Sequence, residues 1–376
     1  MIRHFFIVFL FLLAPAQAEN CCLATKGVVP LQTEIIAQGF DHPWGMAFLP
    51  DGSLLVTERK GQLRRVVAGK ISKPFKGLPA VAEIGQGGLL DIAIDPDFAT
   101  NNRIFFSFAQ PSSTRTHFST AVARARLDIN AGRLRDVAVI FSANNKSRGG
   151  RHFGSRIVFA SDKTLYVTLG DRGTQMRAQH PFDHAGSVIR IARDGSVPPD
   201  NPFANGQEAQ PEIWSLGHRN AQGAALHPNT KKLWTVSHGA AGGDEINVPH
   251  AGQNYGWPLI SYGQNYSGLS FAQGTHAQGL QQPIYYWDPS IAPSGMSFYA
   301  PRNPKIPDWQ NSLLVGALRG QHLARLMLNG ERIIGEEVYF VGEFGRIRDV
   351  RSGPDGAAWL LTDDDPGKLV RITQKE

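Results

Sequence analysis

Short apolar stretches bounded by Gly, Pro, Asn and Asp recur along the whole chain, and no long run keeps the spacing of an amphipathic helix. One phrase returns: a few apolar residues, a Pro-Asp-Gly-like turn, then an apolar strand. It occurs at Met46–Arg59, Ile92–Phe108, Ile157–Asp171, Ala224–Gly239, Met296–Leu318 and Val350–Asp364. Each copy reads as a hairpin, with Pro setting φ at the turn and Gly or Asn accepting positive φ. Six copies over the chain leave roughly 60 residues each, above the ~40–50 of simple propeller repeats, so the surplus lies in long loops. Repeated strand units without interleaved helices predict an all-β fold, a six-bladed β-propeller whose closed ring leaves only short edges. A β-sandwich or two stacked β-domains is the competing architecture. No linker or composition break interrupts the pattern, so residues 19–376 read as one domain. Leu31–Phe40 is strand-like and is placed to pair with the C-terminal KLVRITQ and close the ring.

The start of the chain breaks that pattern. MIRHFFIVFLFLLAPAQA has a basic residue at Arg3, an apolar run from Phe5 to Leu13, and a small-x-small end at Ala16–Ala18. That is the layout of a signal peptide over residues 1–18, and the run is too short to span a bilayer. The expected location is periplasmic or secreted. The chain of 376 residues has two cysteines, the adjacent Cys21 and Cys22, so a disulfide framework does not hold the fold together. Gly (40) and Pro (24) are abundant in a way that suits many turns. The formal charge of +6 comes from scattered rather than clustered basic residues, which argues against nucleic acid as a partner. A few arginines inside an anion site fit the same number equally well.

Candidate chemistry falls in the loops. His152, in SRGGRHFGSRIVF, precedes an apolar strand and suits a general base, although a lone loop histidine is more often plain surface. Gln86 lies between glycines that let backbone approach a ligand, or simply make a tight turn between blades. Arg219 and Asn220 follow a short strand, where an arginine fork suits a carboxylate or a developing oxyanion. Arg346 and Arg348 alternate along an apparent strand and share a face, so they repel unless an anion lies between them or the strand is a solvated edge. The turn HGAAGGDEIN (His238–Asn247) offers carbonyls and the carboxylates of Asp244 and Glu245, hard oxygen ligands that suit calcium better than zinc. GxSxG, Walker and HExxH motifs are absent, and GQGGLL is not embedded in a βαβ unit.

Taken in order, HPWGMAFLPDG, GQGGLLDIAIDPDF, HFGSRIVF, PDNPF, EIWSLGHRNAQG, GGDEINVPHAGQNYGWP, SGMSFY and RIRDVRSGPDG resemble the soluble, pyrroloquinoline quinone (PQQ)-dependent aldose sugar dehydrogenases, relatives of soluble glucose dehydrogenase. The resemblance runs from about His42 to Arg371. It implies PQQ over one mouth of the propeller channel, His152 as the base that takes the anomeric proton, and Arg219 beside the quinone. It implies cofactor contacts from Gln86, His152, Arg219, Asn220, Arg319, Arg346 and Arg348. It also implies Ca2+, held with the cofactor by the carbonyls of Gly239 and Ala240, and a second Ca2+ at Glu245 and Tyr255. The substrate would be an aldose oxidised at C1 to a lactone, with an electron acceptor of unknown identity, and the protein a monomer or homodimer. Arg319 stands where the family tends to have lysine, which replaces a point charge by a fork. Arg151, before His152, also departs from the family pattern. Two rival readings share the architecture: a propeller that binds a ligand or partner without redox chemistry, and a Ca2+-dependent lactonase.

Overall fold

Residues 24–268 and 271–375 are described by a computed structural model. The segment expected to be a signal peptide and both cysteines lie outside that range. The regular structure of the described chain is almost entirely strand, in six sheets, each built on an antiparallel meander.

The six repeated phrases fall on the first two strands of the six blades. Blade 1 runs Pro43–Phe48, Leu54–Glu58, Gln62–Val67 and Lys70–Ile71, and blade 2 runs Leu89–Ile94, Arg103–Pro111, Phe118–Asp128 and Arg133–Ser142. Blade 3 is short-stranded: Ile157–Phe159, Leu165–Thr168, Val188–Ile191 and Ile213–Ser215. Blade 4 holds Ala221–Leu226, Leu233–Ser237, Asp244–Asn247 and Tyr285–Trp287. Blade 5 holds Pro293–Tyr299, Ser312–Ala317, Leu323–Asn329 and Arg332–Tyr339, with Thr25–Lys26 added in parallel to its outer edge. Blade 6 takes three strands from the C-terminus, Ile347–Ser352, Ala358–Thr362 and Gly367–Gln374, and its outer strand from Leu31–Phe40. That last pairing is antiparallel, from Leu31 opposite Gln374 to Phe40 opposite Gly367, and closes the ring as the sequence suggests.

Closure shows in the core as well. The first strand of each blade touches the first strand of the next, round to the start. An apolar cluster fills each of the six gaps between blades; Leu55, Leu63, Ile92 and Phe106, for example, lie between blades 1 and 2, and Phe40, Met46, Val56 and Leu361 between blades 6 and 1. Each sheet therefore buries both faces against its neighbours, which explains the continuous apolar runs of strands such as Leu54–Glu58 and Ser312–Ala317.

The meander sorts the loops by face. The turns of the repeated phrases, between first and second strands, emerge on one face. Connections between second and third strands, and from one blade to the next, emerge on the other. His152, Gln86, Arg219, Asn220, Gly239, Ala240, Arg319 and Arg346 all lie in connections of the second kind, and Arg348 begins the strand after one. Topology alone thus gathers these candidates at one mouth.

Candidate active site

Below the mouth, the axis is plugged by charge. Arg156, 1% exposed, donates from Nη1 to Asp91 Oδ1 (2.8 Å), pairs with Asp349 Oδ1 (3.1 Å) and donates from Nε to the Gln222 carbonyl (2.8 Å). Arg351 reaches the same two carboxylates. The backbone amides of Met46 and Ile157 donate to Asp349 and Asp91, so four blades are tied at one point. The Arg156 guanidinium lies 4.3 Å from the centre of the Trp44 ring, which becomes part of the floor of the cavity above.

That cavity measures about 450 Å³. Its lining includes Trp44, Arg59, Gln86, Asn220, His238, Arg346, Arg348 and Asp363. Arg348 donates to Asp363 Oδ2 at 2.7 Å, and Arg346 reaches the same oxygen at 3.4 Å. The anion expected between these two arginines is therefore, within the protein, Asp363. Burial works to raise the Asp363 carboxyl, but Arg348, Arg59 and Arg346 hold it below the usual carboxylate range. One carboxylate does not satisfy three guanidiniums: Nε of Arg59 and of Arg348 are buried without an acceptor, as is Nε of Arg219, which lies away from Asp363 beside His238.

His152 is not among the residues lining this cavity; it adjoins the lining residue Gln86 and is held in a left-handed conformation, φ 52°. A non-glycine residue held there costs roughly 1–3 kcal/mol and persists only where its surroundings fix it. Here the fixing groups are identifiable. The backbone amide of His152 donates to Gln86 Oε1 (2.7 Å). Its ring Nδ1 lies 2.6 Å from Asp171 Oδ1. Arg172, stacked 3.5 Å over the Phe153 ring, donates to the carbonyls of Gly149 and Arg151 on the same loop. Asp171 is itself positioned by the Gly173 amide (2.7 Å) and by Trp257 Nε1, which donates to Oδ2 at 2.8 Å. Burial would raise the Asp171 carboxyl, yet the bond and charge of His152, the Gly173 amide and Arg219 keep it below its ordinary value. An ionised carboxylate accepts only, so Nδ1 donates in this bond and Nε2 is the ring nitrogen left free for a ligand.

Arg219 is 8% exposed, donates from Nη1 to the His238 carbonyl (3.4 Å) and lies 5.2 Å from the Trp257 ring. Asn220 Oδ1 accepts from the amide of Gly154 and from Gln222, which commits its oxygen to the loop after His152. His238 donates from Nε2 to the Pro293 carbonyl (2.6 Å); burial and the Arg219 charge lower it to about 3, so it is neutral. Arg319 is exposed and lies outside the cavity lining; its neighbour Leu318 lines the cavity in its place.

The glycine-rich turn is built differently from the simplest reading. Asp244 is not a free ligand: its Oδ1 accepts from the Gly239 amide and its Oδ2 from Ser290 and the Ala292 amide, all within 2.9 Å. It pins the turn instead. A Cβ at Gly239 would meet the Gly242 carbonyl oxygen at 2.0 Å, so only glycine closes it. Across the strand, Glu245 faces a void of about 10 Å³ lined also by His218, Gly239, Gly243, Asn247 and Ser261. That is the room of one water or one ion. Asn247 Oδ1 is buried there without a partner, and burial, reinforced by Asp244, raises the Glu245 carboxyl to about 7. A cation would relieve both, so this donor set fits Ca2+. Tyr255 is stacked on His218 at 4.8 Å, and its hydroxyl donates to the Val248 carbonyl, which leaves only its main chain for a metal. Among the described residues no three His, Cys, Asp or Glu side chains cluster to hold a metal, so such a site would depend on carbonyl and amide oxygens.

A family model described as Glucose / Sorbosone dehydrogenase matches residues 40–371. The chain belongs to the glucose/sorbosone dehydrogenase family. Within it, the aldose sugar dehydrogenase YliI of Escherichia coli is 40% identical over 349 residues, covering 92% of this chain and 93% of that protein. The solved apo-form of the soluble aldose sugar dehydrogenase from Escherichia coli superposes with a TM-score of 0.88 at 40% identity, over 92% of this chain and all of the other. A PQQ-bound aldose sugar dehydrogenase from Streptomyces coelicolor superposes at 0.76 with 27% identity, over 93% and 100%.

The site in this chain also contains residues to which the motif reading gives no role: Arg59, Asp171, His238 and Asp363, with Trp257 behind them. A signal for four of these was present. Arg59, His238 and Asp363 follow directly on the second strands of their blades and Asp171 comes three residues after its own, so each stands at or next to the end of a repeated phrase: LLVTER, LYVTLGD, LWTVSH and WLLTDD. In these four blades a polar residue after the second strand stands on the mouth side, whereas in blade 5 that position is the apolar Leu318.

Proposed function

We propose that the protein is a PQQ-dependent aldose sugar dehydrogenase that oxidises the anomeric C1 of a cyclic aldose to the lactone. The observation that carries the reading is the His152–Asp171 pair beside a cavity whose buried arginine Nε groups lack acceptors. PQQ is a flat tricarboxylate, and the donor set fits it. Arg59, Arg346 and Arg348 would meet its carboxylates, Gln86 and Asn220 would offer amide N–H groups, Trp44 gives a flat apolar floor, and Arg219 would answer charge developing on a quinone oxygen. When bound, PQQ supplies the two-electron acceptor for the hydride from C1, and Ca2+ at the Gly239–Ala240 turn supplies further charge neutralisation.

The chain's own part is acid–base and positional. His152 Nε2 accepts the proton of the anomeric hydroxyl. Asp171 holds the ring in the tautomer that leaves Nε2 free, and its charge stabilises the imidazolium that results. Trp257 fixes the carboxylate, and Gln86 and Arg172 fix the loop. Arg319, whose side chain is exposed, would have to turn inward to serve as a cofactor contact. Export to the periplasm is supported by the leader-like N-terminus, and among the described residues no helix is long and apolar enough to cross a membrane.

A binding module without redox chemistry has no use for a histidine strained into line with a buried carboxylate, and a lactonase would want inward carboxylates at its metal. The test is reconstitution. The mature protein, given PQQ with Ca2+, is expected to reduce a dye with an aldose panel, and His152→Ala is expected not to. PQQ binding without turnover of any aldose would leave the cofactor and discard the substrate; no PQQ binding would discard both.

A further inference from the structure

Oxidation of a sugar at C1 releases two electrons and two protons, and the electrons must leave through the mouth. Two loops on one side of that mouth carry a surface that the chemistry at His152 does not use. One is 142–151, between blades 2 and 3; the other is 172–184, within blade 3. They are sewn together: Asn144 Nδ2 donates to the Phe182 carbonyl (2.8 Å), the His184 amide donates to Asn144 Oδ1 (3.0 Å), and Arg177 Nη2 donates to the Asn145 carbonyl (2.8 Å).

This joint surface is apolar and basic together. Met176 is 59% exposed and Phe182 43%. Arg148 and Arg151 are exposed and make no ion pair among the described residues. Lys146 is surrounded by neutral oxygens, those of Gln110, Ser119 and Ser142. The single carboxylate of the two loops, Asp183, is buried and paired with Arg177. The backbone of the Arg148–Arg151 segment is also fixed, because Arg172 binds its carbonyls and the Gln86 amide donates to Gly150. The arginines are thus presented from a rigid loop directly before His152, and the loop bonded to it exposes Met176 and Phe182, apolar side chains of the kind interface cores use.

We infer that this face is the docking site of the electron acceptor, a one-electron redox protein with an acidic surface. The inference rests on the dehydrogenase reading. Each turnover sends two electrons, one at a time, to two acceptor molecules, and the two protons go to water. Complementary charge steers the encounter, and Met176 and Phe182 supply the desolvated contact.

The test uses the reconstituted enzyme with an aldose and three oxidants: the acidic copper protein plastocyanin, the basic haem protein cytochrome c, and the small cation phenazine methosulfate. Wild type is expected to reduce plastocyanin faster than cytochrome c, with a rate that falls as salt is added. The Arg148→Glu/Met176→Ser variant is expected to lose on the order of 10-fold or more in the plastocyanin rate, and its salt dependence, while the phenazine methosulfate rate stays within about twofold. Equal loss with all three oxidants would mean general damage and overturn the inference, as would an unchanged plastocyanin rate. Dimerisation of the wild type that the same variant abolishes would assign the face to a second copy and overturn it too. If no sugar reduces phenazine methosulfate, the dehydrogenase reading itself has failed; plastocyanin binding measured by calorimetry then still tests the surface, and equal binding to wild type and variant rejects it.

Discussion

Arg156 and Asp91, 2.8 Å apart and both fully buried, join blade 3 to blade 2 on the axis of the propeller. Their position under Trp44 couples the closure of the ring to the floor of the catalytic cavity. Removing one partner of a buried pair strands the other charge, which costs about 3–5 kcal/mol. Asp91→Ala is therefore expected to lower the urea-unfolding free energy by about that amount, whereas an exposed pair such as Arg126–Asp136 is worth under ~1 kcal/mol. Chemical denaturation of Asp91→Ala and Asp136→Ala side by side checks the difference.

The His152–Asp171 pair separates chemistry from binding. His152→Ala is expected to lower kcat by about 10²–10⁴-fold, the usual worth of a positioned base. Asp171→Asn keeps the shape but can present its amide N–H to Nδ1 and select the wrong tautomer, so a loss of similar order is expected. PQQ affinity, followed by fluorescence titration, should change little in either, since neither side chain belongs to the arginine set.

That pair also shows how far the sequence could be read. The strand repeat was legible because a blade buries both faces, and closure by Leu31–Phe40 because its partner was written at the other terminus. His152, Arg219 and the Arg346/Arg348 pair stood out because their residue types do unusual work at loop positions. Asp171, Arg59 and Asp363 did not, since a charged residue ending a hairpin is ordinary and only ring closure turns those ends toward one point. The role of Asp244 was misjudged for a related reason. A carboxylate beside glycines looks like a ligand until the amides of Gly239 and Ala292 are seen to occupy it.

Acid sensitivity follows from two carboxylates. The folded protein holds both Asp171 and Asp363 below the ordinary aspartate value of 3.8. A depressed carboxyl contributes stability above the unfolded value that is lost as pH falls through the folded one. Stability from these sites is expected to hold down to about pH 4 and to fall below it. Urea midpoints for wild type and Asp171→Asn should converge over that acid range; a constant separation would contradict the assignment.

Glu245 gives the calcium proposal a handle separate from activity. Glu245→Gln removes the charge but not the shape, and it is expected to weaken Ca2+ binding by calorimetry by about 10-fold or more while the apo-protein melts no lower than wild type. A melting temperature that rises with Ca2+ equally in both proteins would move the ion elsewhere.

The most direct test of the catalytic account is a single turnover without an external acceptor. Protein loaded with PQQ and Ca2+ is mixed anaerobically with glucose, or with glucose deuterated at C1, and the cofactor spectrum is followed. Reduction in one exponential, several-fold slower with deuterium and lost in His152→Ala, is the expected result. Reduction that ignores the isotope and survives the loss of His152, or no reduction by any aldose, would contradict it.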